Sequence, residues 1–488
     1  MKRCLRQLFA LLLAGVALAT AGCATNPVTG EQDFVLMSVA EERRLGATYH
    51  KQIIKEQPVY EDDELQAYVD RIGQRLAQVS HRPKLGYQFT VLDDDSVNAF
   101  ALPGGYIYVS RGILAYFNSE AELAGVLGHE IGHVTARHSV RQYSTATATG
   151  LLGSILLSEA GAGRAAGELF NVVHTAAMRG YGREHELESD RLGAEYLARA
   201  GYDSQEMLGV VGILKDQELY EIHRAKEEGR EPRVYHGLFS THPDNDTRLQ
   251  EVIRAARKHE IENPRSDDRE EYLRLLDGMP FGPSADQGVV DDHEFLHGPL
   301  DVAVRAPREW TIANRPDRVI FEAPGGDAGV IMTLEPAGPT DNPRKRLIDA
   351  VGDLEGGEAF TANGHRGYTG ILRGRSQAGA ARTRLALVIK GDQAWYFRGL
   401  APDEETFDVL DDAFLGIAKS LHALSPAEQE RAEPLRIRIV RAEAGDTYES
   451  LAKDTPRLKD AAARTRLLNG DWPDGEPEAG RLVKVLRQ

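Results

Sequence analysis

The sequence predicts a multidomain fold: a mainly α-helical domain with a small β-hairpin sheet, then an α+β domain, then a small mixed module at the C-terminal end. Three observations predict it. The chain has 488 residues, 42% hydrophobic and 27% charged, which suits packed domains of roughly 100 to 200 residues each and excludes a disordered polymer. Apolar positions recur at helical spacing through most of the first half. From Phe295 onward the texture changes to short alternating runs separated by turn residues.

Residues 1–22 start basic (Lys2, Arg3, Arg6), continue through an apolar run from Leu8 to Leu18, and end in small residues before Cys23. That is the pattern of an export signal, and the run is short for a ~20-residue membrane span. Thr20-Ala21-Gly22-Cys23 resembles the bacterial lipoprotein box, so Cys23 is expected to carry a lipid. The leader holds three basic residues and no acidic one, so its loss takes the formal net charge from -17 to -20. Ala24 after the cysteine favours, by resemblance to enterobacterial sorting, the outer membrane and a periplasmic location. With 75 Asp plus Glu against 58 Lys plus Arg, nucleic acid is excluded as a general partner. Cys4 and Cys23 make neither a disulfide framework nor a Cys-x-x-Cys pair, so a bound metal must rest on His and carboxylate.

Residues 23–60 are expected to form a turn-rich tether and a first helix, Ser38 to Glu56. Within residues 61–262, a second helix spans Asp62 to Ser80 and Tyr87 to Leu92 alternates as a strand. Ala99 to Leu102 and Tyr106 to Val109 flank Pro103-Gly104-Gly105 as a hairpin. Ser119 with Glu122 forms a capping box that opens a helix through Val134. Thr145 to Met178, rich in Ala, Gly and Leu, is expected to be a helical hairpin or lid, and Arg183 to Ala200 a helix closed by Gly201. Residues 263–292, acidic and turn-rich, are expected to be a linker, residues 293–425 an α+β domain without a chemical signature, and residues 434–488 a separate module. The last of these looks like a LysM-type module: Gly445-Asp446-Thr447 opens a helix and Asn469 follows a second one. Ala479-Gly480 stands where such modules have Pro-Gly.

Gly128-His129-Glu130-Ile131-Gly132-His133 carries the chemistry. Two imidazoles four positions apart share one helix face and can reach one ion, while Glu130 projects beside them toward a water. Zinc needs a third ligand and an open position. Ser139 stands where a third His two turns on would serve, and His138, five residues past His133, would point away at about 140° round a continuous helix. Glu186 and Asp190 are again four apart, so one can bind metal while the other holds an imidazole N–H; Glu184, His185 and Glu188 are rivals.

The order of Asn98 to Gly105, the His-Glu-x-x-His helix, and Glu186-x-x-x-Asp190 resembles the gluzincin metalloproteases, the family of the CAAX-prenyl protease and of BepA-like periplasmic zinc metalloproteases. The likeness covers about residues 25 to 260. It implies one zinc ion per chain on His129, His133 and Glu186, with Asp190 as the partner of a ligand imidazole and Glu130 as the catalytic base. It also implies that His242, in Ser240-Thr241-His242-Pro243, can fill the open zinc position at rest, and that Arg248 lies near the substrate carbonyl. The tetratricopeptide pattern that ends BepA-like chains is missing from Phe295 to Gln488. The expected function is an envelope endopeptidase that cleaves unfolded or misassembled proteins, membrane-anchored through Cys23, with residues 435–488 on peptidoglycan. The alternative is an envelope assembly chaperone whose zinc site is latent and plugged by His242.

Overall fold

The computed structural model describes residues 23–145, 181–227, 245–338, 342–374, 382–455 and 460–488, together with single residues between these stretches. They fall into two compact units: one runs up to Met279 and takes in Arg436–Arg487, and the other is Pro280–Leu435. The expectations for residues 1–22 and for most of Thr145 to Met178 lie outside the described residues.

The first unit begins with a short antiparallel pair, β1 (Cys23–Thr25) and β2 (Gln32–Phe34). Ser38 and Glu41 cap helix α1 (Val39–Glu56) reciprocally, and Asp62 caps α2 (Asp63–Val79). Leu65, Tyr68, Val69, Ile72 and Leu76 form one apolar stripe on α2, and all five are buried. That stripe packs on β3 (Gln88–Leu92), which with β4 (Ala99–Leu102) and β5 (Tyr106–Ser110) makes a sheet of order β3-β5-β4. β3 runs parallel to β5 and β4 antiparallel, joined by the expected turn, where Gly104 and Gly105 take φ of 86° and 96°. After a short helix, α3 (Arg111–Leu114), come α4 (Glu120–Thr135), α5 (Arg183–Arg199), α6 (Glu206–Glu227) and α7 (Asn245–Lys258). Every residue of α4 except Glu122 is buried, because α2, α5, α6 and β4 all pack on it.

Residues 263–292, expected as a linker, are packed instead. They hold α8 (Arg269–Leu275), where Tyr272 is fully buried and its hydroxyl donates to the Leu114 carbonyl at 2.7 Å. Acidic surface positions masked this apolar face.

The second unit has a three-stranded antiparallel sheet, β6 (Val289–Asp291), β7 (Glu294–His297) and β8 (Val302–Arg305). A larger sheet follows, with β9 (Thr311–Arg315), β10 (Arg318–Glu322), β11 (Gly329–Pro336), β12 (Glu355–Ala362), β13 (His365–Arg373), β14 (Arg382–Lys390) and β15 (Gln393–Leu400). Its order is β9-β10-β11-β15-β14-β13-β12, all antiparallel. Helix α9 (Pro343–Val351) covers β13 and β14, and α10 (Glu404–Ser420) buries Phe407, Phe414 and Ile417 against Trp310, Phe321 and Phe397. A short helix, α11 (Pro426–Ala432), ends the unit. Helices and an antiparallel sheet share one core in this unit.

The chain then returns to the first unit. β16 (Leu435–Arg441) pairs antiparallel with β17 (Leu482–Arg487), and α12 (Tyr448–Ala452) and α13 (Ala461–Asn469) lie between them in sequence. Expected as a separate module, Arg436–Arg487 is joined to the first unit by backbone bonds between Ile437 and residues 278 and 279. Fully buried Lys484 donates from Nζ to the carbonyls of Ala115 and Phe117 at 2.7 and 2.8 Å. Among the described residues no helix is long and apolar enough to cross a membrane.

Candidate metal centre

Helix α4 carries the centre and α5 completes it. Ser119 accepts from the Glu122 amide at 3.1 Å, and the Glu122 carboxylate accepts from the Asn118 amide at 2.6 Å, so the first turn of α4 is held from both sides. Further along, the two helices meet backbone to backbone. A Cβ at Gly132 would lie 3.1 Å from the Ser189 backbone, and one at Gly128 would lie 3.3 Å from the Gly193 carbonyl. Small residues on both sides allow this approach, which brings the Glu186 and Asp190 face of α5 against His129 and His133.

The Nε2 atoms of His129 and His133 are 2.9 Å apart. Glu186 faces both, with one carboxylate oxygen 3.5 Å from each Nε2. All three side chains are buried, as is Glu130, and the three donors form the one metal-competent cluster among the described residues. Asp190 accepts from His129 Nδ1 at 2.8 Å. A carboxylate only accepts, so His129 carries its proton on Nδ1 and turns the Nε2 lone pair inward.

His133 is held by a partner that the sequence did not suggest. His138 does not point away: it is fully buried, and its Nδ1 lies 2.8 Å from His133 Nδ1. The helix does not continue to it, because α4 ends at Thr135 and Arg137 takes a left-handed φ of 58°. That reversal swings His138 back under His133. Arg137 is held there by Glu42 at 3.2 Å and the Met37 carbonyl at 2.8 Å. On its far side His138 Nε2 is 3.0 Å from Glu188, which also pairs with Arg141 at 3.2 Å. Burial pushes the His138 pKa down against the pull of Glu188. Burial alone would raise Glu188, but the His138 hydrogen bond and the Arg141 charge take it down to about 2. The Glu188 carboxylate accepts from His138 Nε2, which leaves His138 Nδ1 to accept from His133 Nδ1.

This protonation pattern tests the site for a metal. With both Nδ1 protons committed to their partners, two Nε2 lone pairs and a carboxylate converge on one buried point. Three acceptors at that spacing repel one another unless a cation lies among them, and two imidazoles with one carboxylate suit zinc while leaving a fourth position open. The donor set fits the ion.

Of the rivals, Glu184 is exposed, Glu188 serves His138, and His185 stacks on the His138 ring at 4.2 Å between centroids. Tyr181 stacks on His133 at 4.0 Å and was not foreseen. His242 lies outside the described residues. Arg248 falls on α7, and its side chain is outside the described part as well. The left-handed arginine that redirects His138 had no sequence signal, since Gly and Asn are the usual marks of that conformation. Gly128 and Gly132, flanking the histidines, were the available sign of the close helix crossing.

A paired-imidazole helix completed by a carboxylate from a second helix makes a three-donor metal centre with one position left open. Residues 63–256 match the model of peptidase family M48. The chain is 32% identical over 251 residues to the β-barrel assembly-enhancing protease of Escherichia coli K12, an alignment covering 49% of each chain. It is 36% identical over 195 residues to the putative β-barrel assembly-enhancing protease of Vibrio cholerae, covering 38% of this chain and 40% of that one. It is 33% identical over 165 residues to the mitochondrial metalloendopeptidase OMA1 of Arabidopsis thaliana, covering 32% and 33%. The chain thus spans about half the length, or less, of these curated relatives.

Proposed function

We propose that the protein is a zinc-dependent endopeptidase of the bacterial cell envelope, with unfolded or misassembled proteins as substrates. The observation that carries this reading is the buried convergence of His129, His133 and Glu186, with Glu130 one position along the same helix. Zinc, when bound, supplies Lewis acidity that polarises a peptide carbonyl and makes a water more acidic. The carboxylate of Glu130 takes the proton from that water as its oxygen bonds to the carbonyl carbon. The same carboxylate then delivers the proton to the amide nitrogen as the C–N bond breaks. His242 and Arg248 are proposed near the developing oxyanion, where one fixed donor is typically worth ~2.7 to 4 kcal/mol.

Strand β4 lies at the edge of its sheet and packs on α4, which supports the view that an extended substrate adds beside it. Folded proteins rarely offer a free strand, hence the preference for unfolded ones. The names of the bacterial relatives, β-barrel assembly-enhancing proteases, support β-barrel proteins as a substrate class. Lipid attachment at Cys23 and peptidoglycan contact through residues 435–488 complete the proposal; membrane fractionation of Cys23→Ser and retention on sacculi decide them.

Glu130→Gln is expected to keep stoichiometric zinc and to lose cleavage of unfolded casein. Wild-type turnover by that variant would overturn the mechanism.

A further inference from the structure

We propose that His138, Glu188 and Arg141 form a positioning relay for His133, so that one ligand of the centre is oriented by another imidazole and the other by a carboxylate. The inference rests on the metal-centre reading above and goes beyond it.

Four observations carry it. The atoms form an unbroken line: His133 Nδ1 to His138 Nδ1 at 2.8 Å, His138 Nε2 to Glu188 at 3.0 Å, and Glu188 to Arg141 at 3.2 Å. Each proton has one consistent place, because Glu188 can only accept and so fixes the tautomer of His138, which in turn leaves His133 to donate. His138 is fully buried, and its ring is clamped by the stacked His185 ring at 4.2 Å. Finally, the backbone adopts a left-handed residue at Arg137 to place His138 there, a conformation that needs outside support and receives it from Glu42 and Met37.

The two ligand imidazoles then differ in kind. His129 leans directly on the buried carboxylate of Asp190, whereas His133 leans on a second imidazole whose carboxylate partner lies one residue further out, at the less buried Glu188. The relay keeps a carboxylate's orienting effect on His133 without placing a second carboxylate against the ring. His138 is a positioning residue and touches no substrate.

The test uses the full chain and zinc affinity measured by competition with a chromophoric chelator. His138→Leu fills similar space without an acceptor and is expected to weaken zinc binding about 10- to 100-fold, the usual effect of removing such a partner. His138→Gln, whose side-chain carbonyl can accept from His133 Nδ1, is expected to recover most of that loss. Glu188→Ala is expected to cost less than His138→Leu, and the double variant no more than His138→Leu alone, because both act through one line of bonds. Wild-type affinity within twofold in His138→Leu, or full additivity in the double variant, would overturn the relay while leaving the metal centre intact. Failure of the wild-type chain to bind one zinc would instead remove the metal-centre reading, and the relay with it. Should His138→Leu not fold, Glu188→Ala and His138→Gln still decide: unchanged affinity in Glu188→Ala together with a full loss in His138→Gln overturns the proposal.

Discussion

Single residues decide how the end of the histidine-bearing helix α4 is held. Glu42, on α1, is almost wholly buried and accepts from both terminal nitrogens of Arg82, at 2.9 and 3.1 Å, and from Arg137 Nε at 3.2 Å. Arg82 also donates to the Val134 carbonyl at 3.0 Å, capping the last turn of α4. Glu42→Ala would leave two buried guanidiniums facing each other without their anion. Breaking such a buried set costs about 3 to 5 kcal/mol, and urea denaturation of the full chain is expected to register a loss of that order. Glu42→Gln, which keeps an acceptor oxygen, is expected to lose less. At this scale periodicity marked His129 with His133 and Glu186 with Asp190 as four-residue pairs, while Glu184, His185 and Glu188 stayed rivals until the family resemblance chose among them. His138 was not legible, because its placement depends on one left-handed arginine pinned by a carboxylate 95 residues earlier.

Among the elements, the capping of α4 faces the start of α6. Glu206 opens α6, and burial together with Glu122, Asp203 and Asp267 raises its pKa to about 7. A carboxyl whose folded pKa is raised binds its proton more tightly in the native state. Its stabilising contribution is whole below the unfolded pKa of about 4.5 and is lost as pH rises through about 7. Glu206→Gln is therefore expected to raise Tm at pH 8, to leave it nearly unchanged at pH 4, and to flatten the decline in between; equal shifts at both pH values would contradict this origin. The elements themselves were mostly readable. The hairpin, the capped helix and the alternating strands all follow from turn residues and periodicity. Helix α8 escaped because its sequence advertises charge, while its stability comes from Tyr272 and Leu273 entering a core built by distant residues.

In the whole molecule, the second unit is inserted between two parts of the first, and residues 436–487 return to complete the unit that bears the metal centre. Composition could not reveal this return, since a module read by its own motifs looks independent. The decisive contact is Lys484, whose burial pushes its pKa well down and which binds the two carbonyls just ahead of the Ser119 cap. Arg464 lies over the Tyr220 ring at 4.6 Å, and Arg269 reaches the Leu482 carbonyl at 3.3 Å, so the seam has several independent ties. Lys484→Met keeps the bulk but leaves both carbonyls unsatisfied. It is expected to destabilise the first unit by about 1 to 3 kcal/mol for each carbonyl that stays dry, seen as an earlier transition in chemical denaturation. No change in stability would make the seam superficial.

Lys484 reaches partners 369 and 367 positions earlier in the chain, with an entire folded unit in between. Closing so distant a contact comes late in folding. During synthesis, a nascent polypeptide that already displays every zinc-binding side chain would still lack the strand that steadies the entrance to their helix. The full stability of that unit would then arrive only with the last few dozen residues.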